Sequence, residues 1–266
     1  MQVNVLDHGY VTLVETWGSD ERIVEAARMS TNKGFQGWGP CHTVECKSHA
    51  MDKVYDAPDE FIFANKCDCP HDLPGDEKLL RYLYEHKHMT PFEMAGMIIE
   101  VQAPIFVFRE WHRHRTQSYN EMSARYIPLP DVNYVPSVER LLQGSSSQNK
   151  QQQAVAGVLS TSGAEGAQGL LVEIYGMLEH SYQMMLGNGV PKELARLILP
   201  VGRYSRMRAS ANLRNWLAFL PLRMDPAAQW EIRQYAGAVA DLIAVHFPRT
   251  WALFNVTGPH IIKGKP

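Results

Sequence analysis

The sequence predicts a mixed α/β fold, a single domain in which helices pack on a central sheet. Segments with the periodicity of amphipathic helices alternate along the chain with short segments whose apolar residues have the spacing of strands. A chain of 266 residues, 45% apolar and 20% charged, can bury a large core and has an ordinary globular composition. We therefore predict one domain over residues 1–266, interrupted by an insertion and a polar loop.

The first elements are a strand segment, a helix and an irregular segment. Residues 3–18 have the pattern of a short strand or hairpin, and residues 20–29 that of a helix with Ser19 or Asp20 as its N-cap. Helical spacing is lost over residues 30–75, which contain Gly, Pro, several His and all four Cys. We interpret this Cys/His-rich segment as an irregular insertion.

The middle of the chain predicts helices on either side of a strand. Helical spacing returns over residues 76–86, and residues 96–103 alternate as a strand does. Pro104 suits the first position of the next helix, residues 105–115, whose C-terminal end carries a basic cluster that offsets the helix dipole. Residues 143–153 are polar without a core face, which predicts a loop.

The second half of the sequence is mostly helical. Its predicted helices are residues 168–186, 191–199, 212–220 and 225–247, and residues 203–209 are predicted as a strand. Asp225 and Pro226 supply the cap and first position of the last helix. The Met-rich residues 177–185 are interpreted as a helix face in the core.

Composition and charge argue against several classes of protein. No apolar run approaches the roughly 20 residues that span a bilayer. The start, MQVNVLDHGY, lacks the basic and apolar regions of a signal peptide, so we expect a cytoplasmic protein without membrane contacts. The formal charge of -2 argues against a protein that coats nucleic acid. Yet 16 of the 26 basic residues are Arg, which suits local recognition of phosphate or carboxylate.

The most informative segment begins with Arg113, His114 and Arg115. Consecutive side chains at a helix end point in different directions, so these three can surround a ligand. Hydroxyl, amide, carboxylate and guanidinium groups follow at once in residues 116–126. This combination suits a heterocycle that carries a phosphate.

The same segment resembles the signature of the flavin-dependent thymidylate synthases, an Arg-His-Arg followed by seven residues and Ser. Five further segments resemble elements of that family in the same order. They are HMTPFE from His88, PKELARLILP from Pro191, the Asn212-Leu213-Arg214 and Leu222-Arg223 elements, and AQWEIRQYA from Ala228. The resemblance covers residues 1–29 and 76–255 apart from the polar loop at 143–153, and it leaves out the Cys-rich segment.

The resemblance implies an enzyme that converts dUMP to dTMP with FAD, taking carbon from methylenetetrahydrofolate and reducing power from NADPH. It implies FAD binding by Thr90, Arg113, His114, Arg115, Glu121, Asn212, Leu213 and Arg214. It implies dUMP binding by Glu110, Arg113, Glu121, Met122, Ser123, Ala124, Arg125, Arg196 and Arg223. It also implies a homotetramer with shared active sites.

Arg223 matches the family's catalytic Arg, which favours the N3-ionised uracil. A guanidinium beside N3 and O2 stabilises that anion and raises electron density at C5. Two positions depart from the family: Glu110 replaces the Gln of some members, which could alter nucleotide affinity, and Ala218 replaces a polar flavin contact, which could weaken FAD binding.

Two other catalytic interpretations are weaker. Ser123 lacks the base and orienting acid of an activated hydroxyl, so phosphate binding is its better role. Residues 40–42, Pro-Cys-His, resemble the nucleophile of the folate-reducing thymidylate synthases, but none of that family's surrounding sequence accompanies them.

A structural zinc site is an alternative for the insertion, since Cys41, His42, Cys46, His49, Cys67, Cys69 and His71 lie within 31 positions. Their spacing is irregular, so we do not favour bound metal. Two other functions remain open: a flavin enzyme that modifies C5 of another uridine nucleotide such as UMP, and an Arg-rich nucleic-acid-binding module.

Overall fold

The computed structural model describes residues 1–38, 75–143 and 159–257. Within these residues the strands are β1 Gln2–Val5, β2 Gly9–Trp17, β3 Gly96–Pro104, β4 Ser118–Glu121 and β5 Tyr204–Asn212. The helices are α1 Asp20–Arg28, α2 Asp76–Glu85, α3 Ile105–Trp111, α4 Val138–Leu142, α5 Thr161–Gly187, α6 Lys192–Ala195, α7 Leu213–Met224, α8 Trp230–His246 and α9 Pro248–Thr257. Short 3₁₀ turns lie at Met29–Thr31, Thr90–Met94 and Arg196–Ile198.

The strands form one five-stranded sheet in the order β1-β2-β3-β5-β4. The β1–β2 and β4–β5 pairs are antiparallel. Along β5 buried Met207 and Ala209 alternate with exposed Arg206 and Arg208, as expected for a strand with one face on the core. The predicted mixed α/β class is therefore confirmed.

The chain divides into two compact units. The strands β2, β3 and β5 each have residues in both units. The first unit comprises Met1–Val14, Ile98–Ser210 and Leu222–Val239, and the second comprises Glu15–Met97, Ala211–Pro221 and Ala240–Pro266. The extent of a single domain over residues 1–266 stays a prediction.

Each unit has an apolar core and polar groups that position its helices. In the first unit the buried Tyr235 hydroxyl donates to the Gln102 carbonyl over 2.9 Å. In the second unit the buried Asp20 carboxylate accepts from the backbone N–H groups of Arg249 and Thr250, at 2.8 and 3.2 Å. The first amides of a helix have no hydrogen-bond partner within that helix. At the beginning of α9, Asp20 accepts from two of them.

Two predicted helix ends were wrong. The helix predicted to end at Leu220 continues through Pro221 to Met224. Proline removes one helical hydrogen bond, but the buried Trp216 and Phe219 pack this helix into the core, and packing supplies most helical stability. The helix predicted from Asp225 begins at Trp230, because the Asp225 carboxylate accepts from the Ala227 N–H over 2.7 Å and forms a turn instead.

The Met-rich face was also predicted wrongly. Met177 and Met184 are 64% and 53% exposed, so this side of α5 is not part of the core of the described chain. Periodicity shows that a helix has an apolar face, but it does not show what covers that face.

Most of the insertion and most of the polar loop lie outside the described residues, as do all four Cys and the zinc hypothesis that depends on them. Among the described residues, no His, Cys, Asp and Glu side chains are grouped so that three could hold a metal ion. None of the described helices is both long and apolar enough to cross a membrane.

Candidate active site

The Arg-His-Arg segment lies in a turn, not on a helix as predicted. Helix α3 ends at Trp111, and the chain turns between it and β4. The buried Trp111 indole donates to Gln117 Oε1 over 3.0 Å, and the Tyr119 hydroxyl donates to the His114 carbonyl over 2.7 Å. These two bonds link the residues that flank the segment to each other and to its backbone, so they hold the turn in place.

Arg223 is the centre of a hydrogen-bonded cluster within the first unit. Its Nε donates to His114 Nε2 over 2.8 Å, its Nη1 to Glu110 Oε2 over 2.9 Å, and its Nη2 to the Glu110 carbonyl over 2.8 Å. The Arg223 side chain is only 15% exposed. The guanidinium is therefore fixed in position and orientation by these two partners.

Burial and the neighbouring charges keep His114 neutral. Burial and, to a smaller extent, the charge of Arg223 lower the pKa of His114 to about 4 against the opposing effect of Glu110. Because Arg223 is always protonated and donates, Nε2 of His114 must be the acceptor, so the ring proton is on Nδ1. Burial also raises the pKa of the Tyr119 hydroxyl, which remains a donor.

Arg113 and Arg115 lie on either side of His114 in the chain, and both are exposed. Within the described ranges neither guanidinium takes part in an ion pair. They are cations in contact with solvent, and such groups bind phosphate oxygens bidentately.

The segment from Glu121 to Arg125 leaves β4 and meets the region of α6. Ser123 Oγ accepts from the Arg125 N–H over 3.3 Å. Arg125 Nε lies 3.4 Å from Glu193 Oε2, and Arg196 Nε donates to the Glu193 carbonyl over 3.3 Å. Glu193 therefore brings two predicted phosphate-binding Arg residues together, although no sequence motif assigned a role to it.

Three other predicted nucleotide contacts belong to the same segment. Glu121 is exposed at the end of β4, opposite Met207. The Met122 N–H donates to the Arg206 carbonyl over 2.8 Å. Ala124 is buried at 7% exposure, so it contributes packing and backbone groups instead of a polar side chain.

The remaining predicted flavin residues lie in the second unit. Asn212 Oδ1 accepts from the Asn215 N–H over 3.0 Å and so caps α7. Leu213 is fully buried, and its N–H donates to the Ala95 carbonyl over 2.7 Å. Thr90 is exposed at the start of a 3₁₀ turn.

Arg214 forms an ion pair with Glu93 within this second unit. Glu93 belongs to the HMTPFE element, but sequence reasoning gave it no role; its acidity and spacing from Thr90 were the available signal. The exposed Ala218 lies one turn after Arg214 on the same face of α7. No described contact tests its effect on flavin affinity.

Comparison with known proteins decides the family. Residues 12–249 match the family model described as thymidylate synthase complementing protein. The chain belongs to this family. It is 36% identical over 264 residues to a flavin-dependent thymidylate synthase of Thermus thermophilus, covering 99% of this chain and 81% of the relative. It is 34% identical to another of that name from Thermotoga neapolitana, covering 96% and 94%.

A solved relative has the same fold. The UMP/dUMP methylase PolB from Streptomyces cacaoi, bound with 5-Br UMP, matches with a TM-score of 0.73 and 29% identity, covering 96% of this chain and 97% of that one. The family resemblance that the motifs indicated is thus confirmed.

The residues present fit a flavin dinucleotide. A dinucleotide carries a diphosphate, and exposed Arg113 and Arg115 are suitable ligands for its oxygens. A flavin ring has hydrogen-bond acceptors, and neutral His114 carries a donor at Nδ1. The chemistry of the donor set therefore agrees with the cofactor that names the family's members.

Proposed function

We propose that this protein methylates dUMP at C5 to give dTMP, with methylenetetrahydrofolate as carbon donor, NADPH as reductant and FAD as cofactor. The methylene unit moves to C5, C5 loses its proton, a hydride completes the methyl group, and tetrahydrofolate leaves as its nitrogens take up protons. When bound, FAD supplies the hydride that it has accepted from NADPH.

The observation that carries this proposal is the fixed position of Arg223. In the same unit it contacts His114, which lies between the exposed Arg113 and Arg115. Three of its N–H groups contact Glu110 and His114, and each terminal nitrogen carries a second N–H that can address a ligand. Donated to N3 and O2 of uracil, these groups stabilise the ring anion and so activate C5. Arg223 is the catalytic residue in this proposal.

The other residues bind and orient the substrates. We assign the dUMP phosphate to Ser123, Arg125 and Arg196; Glu193 contacts both Arg residues, and Ser123 Oγ accepts from the Arg125 N–H. Glu110 and Glu121 with the backbone of Met122 and Ala124 complete the nucleotide site, and Arg113 contacts both ligands. We assign flavin contacts to Thr90, His114, Arg115, Glu121, Asn212, Leu213 and Arg214.

A second candidate substrate is UMP, because the solved relative PolB is named a UMP/dUMP methylase. We propose that dUMP is preferred. The test is a product assay with dUMP and UMP side by side, each with and without methylenetetrahydrofolate, by mass spectrometry. Formation of dTMP that depends on the folate is expected; methylation of UMP in preference to dUMP would replace the proposal, and no methylation of either would reject it.

We further propose a homotetramer with active sites shared between subunits. Support comes from α5, a 27-residue helix with several apolar side chains exposed in one chain. Leu170, Val172, Met177 and Met184 are each more than half exposed. Light scattering should give about four times the 30.1 kDa chain mass, and Met177→Glu should lower it. A monomeric parent would contradict this.

We also propose that the protein acts in the cytoplasm. We further propose that it binds neither nucleic acid nor membranes, which its formal charge of -2 favours. Cell fractionation and a gel-shift assay with single-stranded and double-stranded DNA and RNA test this.

A further inference from the structure

We propose that Arg223 and Glu110 form a tautomer lock for His114, in which Glu110 positions Arg223 and the Arg223 Nε–H fixes His114 with its proton on Nδ1. His114 then presents a neutral donor to its ligand instead of a cation. The lock is a property of the protein itself, whereas its consequence for a flavin rests on the proposed function.

Arg223 is the donor in its contact with His114. A guanidinium cannot be deprotonated in a protein, so the 2.8 Å contact between Arg223 Nε and His114 Nε2 has only one arrangement of protons. Nε2 accepts, and Nδ1 carries the ring proton. A protonated His114 would place a second N–H against the Arg223 Nε–H, and the bond would be lost.

Glu110 holds Arg223 in position. Glu110 accepts from it twice, through the carboxylate at 2.9 Å and through the backbone carbonyl at 2.8 Å. The carbonyl belongs to the last turn of α3 and is not subject to rotamer changes. With the fixed carbonyl on Nη2 and the carboxylate on Nη1, the planar guanidinium directs its Nε–H towards His114.

The surroundings of the His114 ring also favour its neutral form. Among the groups that face His114 are the Arg223 cation, the Glu110 carboxylate and the Tyr119 hydroxyl, which donates to the His114 carbonyl, and Arg113 and Arg115 adjoin it in the chain. Burial and Arg223 oppose a second positive charge, and Glu110 offsets this only in part. Charge and geometry thus favour the same neutral tautomer.

The direct test measures the protonation of His114 without using activity. Exchange of the histidine C2 hydrogen with deuterium, followed by mass spectrometry at several pH values, gives the pKa of individual histidines in the folded holoenzyme. In the parent, His114 should show no inflection above pH 5. In Arg223→Met its pKa should rise from about 4 towards the ordinary value of 6.5. Arg22→Met, a change of the same kind on the exposed face of α1, should leave it unmoved.

Glu110 variants separate position from charge. Glu110→Gln keeps an oxygen for Nη1 and removes the negative charge, so the pKa of His114 should stay low. Glu110→Ala removes the side-chain acceptor, so the pKa should lie between those of the parent and Arg223→Met. This pair also tests the lock if Arg223→Met does not fold. An inflection near 6.5 in the parent, or equal values in the two Glu110 variants and the parent, would overturn the proposal.

The consequence for flavin has its own readout. Asn places an amide N–H where Nδ1 stands, whereas Gln places its amide where Nε2 stands. His114→Asn should therefore retain several-fold more flavin than His114→Gln, measured by absorbance after desalting. Equal loss in both would reject the donor role towards flavin while the exchange result decides the lock, so the two failures are distinguishable.

Discussion

Arg223 Nε lies 2.8 Å from His114 Nε2, although the two residues are 109 positions apart in the chain. The contact joins the predicted catalytic residue to a predicted flavin residue. Glu110 completes the cluster from α3, and the three contacts use three different nitrogens of one guanidinium.

We expect Arg223→Lys to reduce dTMP formation on the order of 100-fold at saturating dUMP, the effect of losing one charge-stabilising donor. Lysine keeps the charge but cannot donate in three fixed directions. Oligomer mass should be unchanged, and turnover is measured on flavin-loaded protein, separately from dUMP affinity. Arg22→Lys is the matched control. Turnover at the parental rate would contradict the role of Arg223 in stabilising the uracil anion.

Loss of an exposed cation should release the cofactor. Arg115 is exposed and has no ion-pair partner in the described chain, so Arg115→Ala removes a phosphate ligand without leaving a buried charge. The variant should fold and shed flavin, seen as lost absorbance after desalting. Full flavin content would count against this placement; Arg22→Ala should retain it.

Glu193 should compete with the nucleotide phosphate. Its carboxylate lies 3.4 Å from Arg125 Nε, and both side chains are about half exposed, 53% and 56%. Exposed pairs contribute about 0–1 kcal/mol, so Glu193→Gln should tighten dUMP binding by no more than about fivefold. Calorimetric titration measures this, with Glu165→Gln on exposed α5 as control. Weaker binding in Glu193→Gln would mean that the carboxylate orients the Arg residues.

The low pKa of His114 should make stability depend on pH. Between about 4 and 6.5 the unfolded ring binds a proton that the folded ring does not, so the free energy of unfolding falls as pH falls through this window. After discounting for partial exposure, the effect between pH 7 and pH 5 is about 1 kcal/mol. Urea denaturation of the parent should show this extra loss, and His114→Asn should lack it. Identical slopes would contradict the shift.

Cys41 lies outside the described residues, and the resemblance implies that methylation uses no enzyme thiolate. Cys41→Ser should therefore form dTMP at nearly the parental rate. Inactivity of a variant that is folded and flavin-loaded would restore the Pro-Cys-His interpretation.

The sequence by itself determined the fold class and the family. Strand alternation and helix periodicity are local, so α1, α2 and most of β3 lie close to their predicted positions. The motifs are also local, because a ligand that touches consecutive side chains requires a contiguous segment such as residues 113–115.

Tertiary structure decided which distant side chains meet and which surfaces are covered. Packing of Trp216 and Phe219 carries α7 through Pro221, which brings Arg223 to the cluster. Arg125 contacts Glu193 because the chain folds back, and no spacing encodes that contact, whereas Arg196 contacts the Glu193 carbonyl only three residues away. Met177 is exposed because the burial of an apolar face depends on what lies opposite it, which a one-dimensional pattern does not contain.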